Sequence, residues 1–550
     1  MRKRLRPGAS CAVVLGLTLS LGACSGGAAK QSSANAGTIT VEAPNSAPTF
    51  TDNFNPFSAS ETGPGLNIIY EPLVATNRAK GGTLIPWLAT SWAWSDGGRT
   101  ATFTLRPGVT FSDGHPMTVQ DVLFSLQLPL KNPKVAGADY TSVTAVGSDK
   151  VAVTWKDPAY QALVNIKNIN ILEKTLWTGR NPLTYLDKKP VGTGPFSIKT
   201  FSPQAVTMAA RGDYWGGKLA VNRLRFVAAT SANIQTQLQN NSIDFCTCDI
   251  DAKSYVSSDP KNHHFIMAWD GSVVSVMLNN AKAPFDDVNV RRAFANAVDI
   301  TAIAKLSSSK LPLTQAPASP TGLSTKTYKD WIDPKYLAPR AQDVAAAKAD
   351  LRAGGWSVQG GSLVKGGKKY PITYVAPSDT PFLKTIGQLV VQQIKQSLGI
   401  QVTLSGGSGA NTGSDINKGK FDMAATWLSR GDSMYYALQQ FDGRLIQPLG
   451  TESVGGNNTV RWKNDAFDKI LAQMAATDDQ SRLKALSKQA QTIFVDQVPT
   501  IPLFSSGAAG VANTLRWTGW PDPENPAYLA NTGSGSEFIT TLLHLKAAKG

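Results

Sequence analysis

The side chains that most often carry out catalysis are few and scattered in this sequence. None of its four histidines lies in an H-E-x-x-H segment, the helical spacing that places two imidazoles and a general base around zinc. A G-x-S-x-G segment, which exposes the nucleophilic serine of many hydrolases on a sharp turn, is also missing. Acidic pairs occur, but no spacing marks one of them as an acid/base dyad. The sequence therefore does not predict an enzyme.

The segment Gly212–Leu219 (GDYWGGKL) comes within one residue of a phosphate-binding loop. In such a loop a glycine-rich backbone wraps the phosphates, and a Ser or Thr after the lysine binds Mg²⁺. Here Leu219 occupies that last position, and Asp, Tyr and Trp stand where small residues are needed. We predict a surface turn rather than a nucleotide site.

Cys24 follows an export signal. A basic start precedes Ala12–Leu21, an apolar stretch of ten residues that is too short for a bilayer, which needs about 20. The next segment, Leu21–Cys24 (LGAC), resembles the lipobox of bacterial lipoproteins, in which the cysteine becomes the first mature residue and carries the lipid. This resemblance implies a signal peptide over 1–23, lipidation of Cys24 and a flexible tether over 24–37. The alternative is a plain signal peptide with an incidental cysteine.

Cys246 and Cys248 are then the only thiols left in the mature chain. A strand would place both side chains on one face, and a single intervening residue does not suit ordinary disulfide geometry. A cysteine pair without a neighbouring histidine is also a poor zinc site. We expect two small, partly buried residues rather than a redox or metal centre.

Helical and strand patterns alternate after the tether, which indicates a mixed α/β fold. Thr118 begins one helix as its N-cap, and Asp121 three residues later completes a capping box. Thr380–Leu398 is the clearest helix, and Gly399 ends it. The other predicted helices are 65–74 (leading into a turn), 118–128, 231–240, 288–298, 465–476 and 480–495. The predicted strands are 38–42, 100–105, 151–155, 243–248, 400–404, 421–427 and 499–504.

The composition is that of a large folded protein. The chain has 550 residues, of which 42% are apolar and 17% are charged, and this excludes a disordered or coiled-coil chain. A typical domain size of about 150 residues gives three to four domains. The net charge of +15 includes four cations of the signal, and the other lysines and arginines are dispersed. No long basic run interleaves with aromatic residues, so no nucleic-acid partner is expected.

A series of short motifs follows one order along the chain. They are Tyr70–Val74 (YEPLV), Leu88–Trp92 (LATSW), Ser95–Gly97 (SDG), Ala101–Phe111 (ATFTLRPGVTF), Asp113–Thr118 (DGHPMT), Asp121–Ser125 (DVLFS), Pro190–Phe196 (PVGTGPF), Asp213–Lys218 (DYWGGK), Asn279–Asn280, Pro284–Val288 (PFDDV), Val290–Ala293 (VRRA) and Ala297–Asp299 (AVD). Together they resemble the family 5 solute-binding proteins of ABC importers, the oligopeptide, dipeptide and nickel binding group. Each motif alone is modest, but the ordered set over about 38–504 is specific.

The resemblance implies a periplasmic-binding-protein-like α/β fold with two lobes, a hinge and an extra inserted domain, which makes three structural domains. Lobe I would comprise 38–74, 190–270 and 505–550, the inserted domain 75–189, and lobe II 271–504. A ligand that touches both lobes stabilises the closed state, because only that state makes both sets of contacts. No cofactor, metal or covalent step is implied.

The resemblance also implies a monomer, lipid-anchored to the outer face of the cell membrane, that serves an ABC permease and its ATPase subunits. An oligopeptide is the expected ligand, because peptide binders are frequent in the family. An oligosaccharide is the alternative, since aromatic faces stack on sugar rings as readily as they enclose peptide side chains. Nickel or haem is less expected, because no Met/His cluster offers ligands. An extracellular enzyme or a cell-wall structural lipoprotein is the alternative of another class.

The segment Phe421–Tyr436 corresponds to the family's cleft strand and loop. Asp432 lies near the acid with which peptide binders pair the α-amino group, although the usual D-Y-P-D-P sequence is absent. The alternative is a solvated loop aspartate, and for any single tryptophan it is a role in the core. The candidate ligand contacts are Asp432, Trp427, Arg430, Tyr435, Tyr436 and Trp269.

Overall fold

The computed structural model describes most of the chain after the predicted tether. These residues are 37–43, 49–58, 63–135, 138–230, 233–248, 250–268, 271–307, 317–429, 431–453, 458–506 and 509–549. Cys24 and the predicted signal peptide lie outside them, as do two candidate ligand contacts, Trp269 and Arg430. Within these ranges no helix has the length and apolar character needed to cross a membrane.

The strands are numbered along the chain. They are β1 (Thr38–Glu42), β2 (Val74–Asn77), β3 (Thr83–Pro86), β4 (Ala89–Ser95), β5 (Thr100–Leu105), β6 (Ser142–Val146), β7 (Lys150–Thr154), β8 (Phe196–Ser202), β9 (Ala205–Ala210), β10 (Arg223–Val227), β11 (Phe245–Cys248), β12 (His263–Ala268), β13 (Ser272–Leu278), β14 (Ser357–Gln359), β15 (Ser362–Lys365), β16 (Lys368–Tyr370), β17 (Ile372–Val375), β18 (Val402–Ser405), β19 (Met423–Ser429), β20 (Thr500–Ser506), β21 (Ala509–Asn513), β22 (Trp517–Thr518) and β23 (Lys546–Ala547).

The helices are numbered in the same way. They are α1 (Leu66–Ile69), α2 (Val119–Lys131), α3 (Leu163–Ile166), α4 (Lys174–Trp177), α5 (Ile234–Gln239), α6 (Ala252–Ser258), α7 (Val288–Ala297), α8 (Ile300–Ser307), α9 (Val344–Ala353), α10 (Pro381–Leu398), α11 (Gly409–Asn417), α12 (Met434–Gln439), α13 (Asp465–Ala475), α14 (Gln480–Gln497) and α15 (Gly535–His544).

A seven-stranded sheet has the strand order β12-β21-β11-β1-β10-β9-β8. Its central strand β1 pairs in parallel with β10 and β11, and the outer pairs are antiparallel. Ile39 and Val41 of β1 are fully buried, as the alternation of apolar residues in TITVE predicts. The sheet is therefore assembled from segments that lie far apart in the sequence.

An antiparallel four-stranded sheet has the order β4-β5-β7-β6, and α2 packs against it. Its buried residues Phe103 and Val151 belong to the same hydrophobic core as Val41 and Phe226 of the seven-stranded sheet. The two sheets therefore share one core.

A five-stranded sheet has the order β18-β17-β19-β13-β20. Helices α7, α8 and α10 contribute to a second hydrophobic core on it, which includes Phe294, Ile303 and Val390. Helices α12, α13 and α14 form a third core around Leu438 and Phe467. The mixed α/β fold predicted from the sequence is confirmed.

Most of the predicted elements agree with the structure to within a few residues. The backbone N–H of Thr118 donates to Oδ2 of Asp121 at 2.8 Å and closes the predicted capping box at the start of α2. Helix α10 ends at Gly399, whose φ of 71° is left-handed and suits glycine. The segment Gly212–Leu219 forms the turn between β9 and β10.

The prediction of two separate thiols at Cys246 and Cys248 is wrong. Both residues are buried in β11, and their sulfur atoms are in bonding contact as a disulfide. Their Cα atoms are 5.6 Å apart, within the usual disulfide range of about 4.4–6.8 Å. Positions i and i+2 of a strand share a face, so these side chains reach each other without a turn between them.

Candidate functional site

The chain passes directly between the two large sheets twice, from β12 to β13 and from β20 to β21. Ser272, the first residue of β13, pairs with both Ser429 at the end of β19 and Ser506 at the end of β20. In the seven-stranded sheet, Ala268 at the end of β12 pairs with Ala509 at the start of β21. Three residues separate β12 from β13, and two separate β20 from β21. The carboxyl ends of β12, β19 and β20 meet at these crossings. Because ligands of open α/β sheets bind outside the carboxyl ends of strands, the candidate site is expected near them.

Hydrogen bonds join the segment that follows β7 to the region of helices α12 and α13. The hydroxyl of Tyr436 donates to the carbonyl oxygen of Gln161 at 3.1 Å, and the Gln161 side chain donates to the carbonyl oxygen of Thr477 at 2.9 Å. The backbone N–H of Tyr160 donates to the carbonyl oxygen of Ala475 at 3.0 Å. The region of the four-stranded sheet is therefore in direct contact with helices α12 and α13.

Gly82 makes the closest approach across this contact. Its φ is +77°, and a Cβ atom placed on it would overlap the backbone carbonyl of Asp432. Only a residue without a side chain allows this packing, for steric reasons as well as for its left-handed conformation. Gly82 and Asp432 therefore form a point of backbone contact between the two sides.

The Asp432 carboxylate meets two cations from the other side of the contact. Its Oδ2 is 2.6 Å from Nζ of Lys167, and its Oδ1 is 4.0 Å from Nε of Arg78. Arg78 also donates to Glu537 at 2.9 Å. Burial lowers the pKa of Arg78, but the hydrogen bond and charge of Glu537 outweigh burial and raise it overall. The four charges form an alternating network in which each carboxylate faces a cation.

Two cavities lie on either side of the Gly82–Asp432 contact. The first has a volume of about 370 Å³ and a polar lining, which includes Asn67, Arg78, Lys167, Asn168, Asn170, Asp432, Asn531, Ser534 and Ser536. The second has a volume of about 550 Å³ and an aromatic lining, which includes Trp92, Trp94, Tyr160, Trp331 and Tyr435. The first suits a polar, charged ligand, and the second suits a flat or apolar group.

Glu71 is among the residues that line the polar cavity, and it is fully buried. Its carboxylate accepts hydrogen bonds from Nε1 of Trp87 at 2.8 Å, the hydroxyl of Tyr214 at 2.8 Å and Nε1 of Trp215 at 2.9 Å. Burial raises the pKa of Glu71, and these hydrogen bonds offset part of that rise. Because Trp87 precedes β4 and Tyr214 follows β9, the carboxylate joins the four-stranded and seven-stranded sheets.

The family described as "Bacterial extracellular solute-binding proteins, family 5 Middle" matches residues 83–444, more than half of the chain. The chain belongs to this family. It is a substrate-binding protein of ABC importers, with the two-lobed fold that the motifs predicted. Members of this family are transport proteins rather than enzymes.

Relatives of this solute-binding protein differ in the ligands that their names give. The nickel-binding periplasmic protein of Escherichia coli (strain K12) is 24% identical over 80% of this chain and 83% of its own length. The di/tripeptide-binding protein 2 of Pseudomonas aeruginosa is 26% identical over 76% of this chain and 81% of its own length. The mannohexaose-bound oligopeptide-binding protein of Thermotoga maritima superposes with a TM-score of 0.77 at 20% identity, over 94% of this chain and 99% of that one. The last comparison shows the fold.

The candidate ligand contacts predicted from the sequence are only partly brought together. Asp432 lines the polar cavity, Tyr435 lines the aromatic cavity, and Tyr436 bonds across the interface. Burial raises the pKa of Tyr435 to about 12, so its hydroxyl stays protonated. Trp427 lines neither cavity; its side chain is 43% exposed and stacks on Phe382 with ring centroids 5.7 Å apart.

Three residues of the interface were not anticipated from the sequence. Arg78, Lys167 and Gly82 lie outside the segment Phe421–Tyr436, and they meet Asp432 only after folding. The one local signal was the pair Gly81-Gly82 before a strand, since adjacent glycines mark a turn or a close approach of backbone. The two cations carry no such signal, because lysines and arginines are dispersed along the chain.

Proposed function

We propose that this protein captures an oligopeptide between its lobes and delivers it to an ABC permease. The observation that carries the proposal is the charge of the polar cavity, which contains Asp432 beside Arg78 and Lys167. A peptide with free ends carries one amine and one carboxylate, and charge-assisted hydrogen bonds to both signs would orient it. The similarity to a di/tripeptide-binding protein supports this choice.

An oligosaccharide is the second candidate ligand. The aromatic cavity holds Trp92, Trp94 and Trp331, and the neighbouring polar cavity is rich in asparagine and serine. Aromatic faces stack on sugar rings, and amides and hydroxyls bond to sugar hydroxyls. The structurally similar protein of Thermotoga maritima binds mannohexaose.

Closure of the lobes is the step that couples binding to transport. We propose domain boundaries at 38–74, 190–270 and 505–550 for lobe I, 75–189 for the inserted domain and 271–504 for lobe II. In support, each of the three larger sheets falls within one of these units, apart from the last two residues of β20. A ligand bound to both sides favours the closed arrangement, which presents a single surface to the permease. A monomer is sufficient for this mechanism.

Calorimetry with paired ligands tests the proposed ligand class. We expect the protein to bind members of a peptide library, and to bind the N-acetylated form of each bound peptide at least about 10-fold more weakly, since acetylation removes the charge that Asp432 would pair. A panel of β-linked oligosaccharides is the comparison. Tight sugar binding without any peptide binding would reject the peptide and leave the oligosaccharide. Turnover of any ligand would instead indicate an enzyme.

The proposed location is the outer face of the cell membrane, through a lipid on Cys24. The apolar stretch before it is too short to anchor the chain, so the lipid must do so. We expect Cys24→Ala to move the protein from the membrane fraction to the soluble extracytoplasmic fraction, measured by immunoblotting after fractionation. Cys11→Ala is the matched control and should stay membrane-bound. A membrane-bound Cys24→Ala protein would refute lipidation at this residue.

A further inference from the structure

A histidine and two carboxylates converge on the inserted domain, away from both cavities. Asp113 and His115 lie on the turn between β5 and α2, and Glu173 immediately precedes α4. Nδ1 of His115 is 3.0 Å from Oδ2 of Asp113 and 3.7 Å from Oε1 of Glu173. One donor atom of each residue lies within 4.8 Å of the other two. Three donors of this kind can occupy one face of a metal ion's coordination shell.

Glu173 shows that the cluster is more than a set of surface charges. Its side chain is only 6% exposed, and it faces His115. Its Oε1 accepts from the hydroxyl of Thr175 at 2.5 Å, while its Oε2 is buried and has no hydrogen-bond partner among the residues that the structure describes. A buried carboxylate oxygen without a donor is costly unless a cation or a proton compensates it.

The backbone around the three side chains is well anchored. The backbone N–H of Phe111 donates to the carbonyl oxygen of His115 at 2.8 Å, and that of Gly114 donates to Phe111 at 3.0 Å. On the other side, the backbone N–H of Lys174 donates to Oδ1 of Asp121 at 2.9 Å. The side chain of His115 is 68% exposed, so its ring can rotate to complete a coordination shell while the two carboxylates stay in place.

We infer that Asp113, His115 and Glu173 form a binding site for a borderline divalent transition-metal ion, with Zn²⁺ as the ion to test. One imidazole and two carboxylates suit Zn²⁺, which takes nitrogen and oxygen ligands at about 2.0–2.2 Å. The exposed side of the site leaves room for water as a further ligand. The metal would compensate the buried carboxylate of Glu173 and would tie the Asp113–His115 turn to the start of α4. The site is separate from the proposed ligand cavities, whose linings include none of these residues.

Equilibrium dialysis of the untagged full chain against ZnCl₂, after removal of metal with EDTA, tests the site directly. We expect one bound zinc ion per chain by elemental analysis. We also expect the unfolding temperature to rise by several degrees when free zinc is about 100-fold above the dissociation constant. His115→Ala and Glu173→Gln should each weaken zinc binding by at least about 100-fold, since even outer-shell partners are worth 10–100-fold.

His544→Ala is the matched control, because His544 is exposed and its ring hydrogen-bonds within its own helix and packs on Tyr528. It should keep the zinc ion, and Mg²⁺ at the same concentration should not raise the unfolding temperature. The site is rejected if folded wild-type protein binds no zinc. It is also rejected if His115→Ala and Glu173→Gln, shown by circular dichroism to be folded, bind zinc as the wild type does. Because peptide binding is measured separately, failure here leaves the proposed transport function untouched.

Discussion

Replacing Gly82 with alanine is expected to weaken ligand binding by at least about 100-fold, because the lobes of the variant can no longer close. A Cβ atom at this position would overlap the backbone carbonyl of Asp432, which belongs to lobe II in the boundaries that we propose. Backbone atoms cannot rotate away as a side chain can, so relief requires the lobes to move apart. The closed state is the one that contacts the ligand on both sides, and its loss lowers the apparent affinity directly.

Gly81→Ala is the matched control for this prediction. Gly81 is also left-handed, with a φ of +67°, but nothing lies within 4 Å of a Cβ atom placed on it. Both variants therefore bear the same local strain, about 1–2 kcal/mol for a left-handed alanine, and only Gly82→Ala blocks closure. Calorimetry gives the affinities, and small-angle scattering with and without ligand shows whether the lobes close. Equal affinities for the two variants would contradict the steric argument.

The Asp432–Lys167 ion pair should matter much less than this steric contact. The two side chains are 15% and 24% exposed, so water screens their attraction, and such pairs contribute about 1 kcal/mol or less. Replacing Lys167 with an uncharged residue should therefore change the equilibrium constant for closure of the lobes by less than about 10-fold. Packing of the backbone, rather than the charge pair, decides how closely the lobes approach.

Replacing Glu71 with leucine is expected to lower the free energy of unfolding by about 3–5 kcal/mol. The carboxylate is fully buried and accepts from Trp87, Tyr214 and Trp215. Leucine fills a similar volume but leaves the buried donors of Trp87 and Tyr214, and the half-buried donor of Trp215, without their acceptor. A buried donor that loses its hydrogen bond without regaining water is costly. Trp87 lies beside the four-stranded sheet, and Tyr214 lies beside the seven-stranded sheet. The contact between these two sheets should therefore loosen first.

Urea unfolding followed by tryptophan fluorescence measures this effect. Glu71→Gln keeps an oxygen acceptor and should cost less, about 1–2 kcal/mol. Glu524→Leu, on the exposed surface, is the control and should change stability by less than about 0.5 kcal/mol. A Glu71→Leu protein as stable as the Glu524→Leu protein would show that the buried carboxylate is not required.

Local chemistry explains why so many elements could be predicted. Thr118 and Asp121 cap α2 through atoms three residues apart, and Gly399 ends α10 because its own backbone is left-handed. Apolar residues at alternating positions of β1 are buried because each strand has one inward face. The same reasoning failed at Cys246 and Cys248. It placed both side chains on one face of the strand, but it did not predict that their sulfur atoms come into bonding contact.

The candidate site depended on contacts between distant parts of the chain. Tyr436 bonds to Gln161 over a separation of 275 residues, and Arg78 bonds to Glu537 over 459 residues. Asp432 was named from the sequence because, by resemblance to the family, it lies near the acid with which peptide binders pair the α-amino group. Its partners Arg78 and Lys167 were not, since no local pattern distinguishes them from the other cations of the chain.

By itself, the sequence determined the α/β class, most helices and strands, the family and the absence of a recognisable catalytic motif. Those properties follow from periodicity, caps and turns, which act over a few residues, and from ordered motifs along the chain. Only the tertiary structure decided that Gly82 packs on the backbone of Asp432, that Glu71 joins two sheets, and that Asp113 and His115 meet Glu173. Such contacts depend on how elements distant in sequence are brought together, and their energies come from close packing and desolvation rather than from local residue preferences.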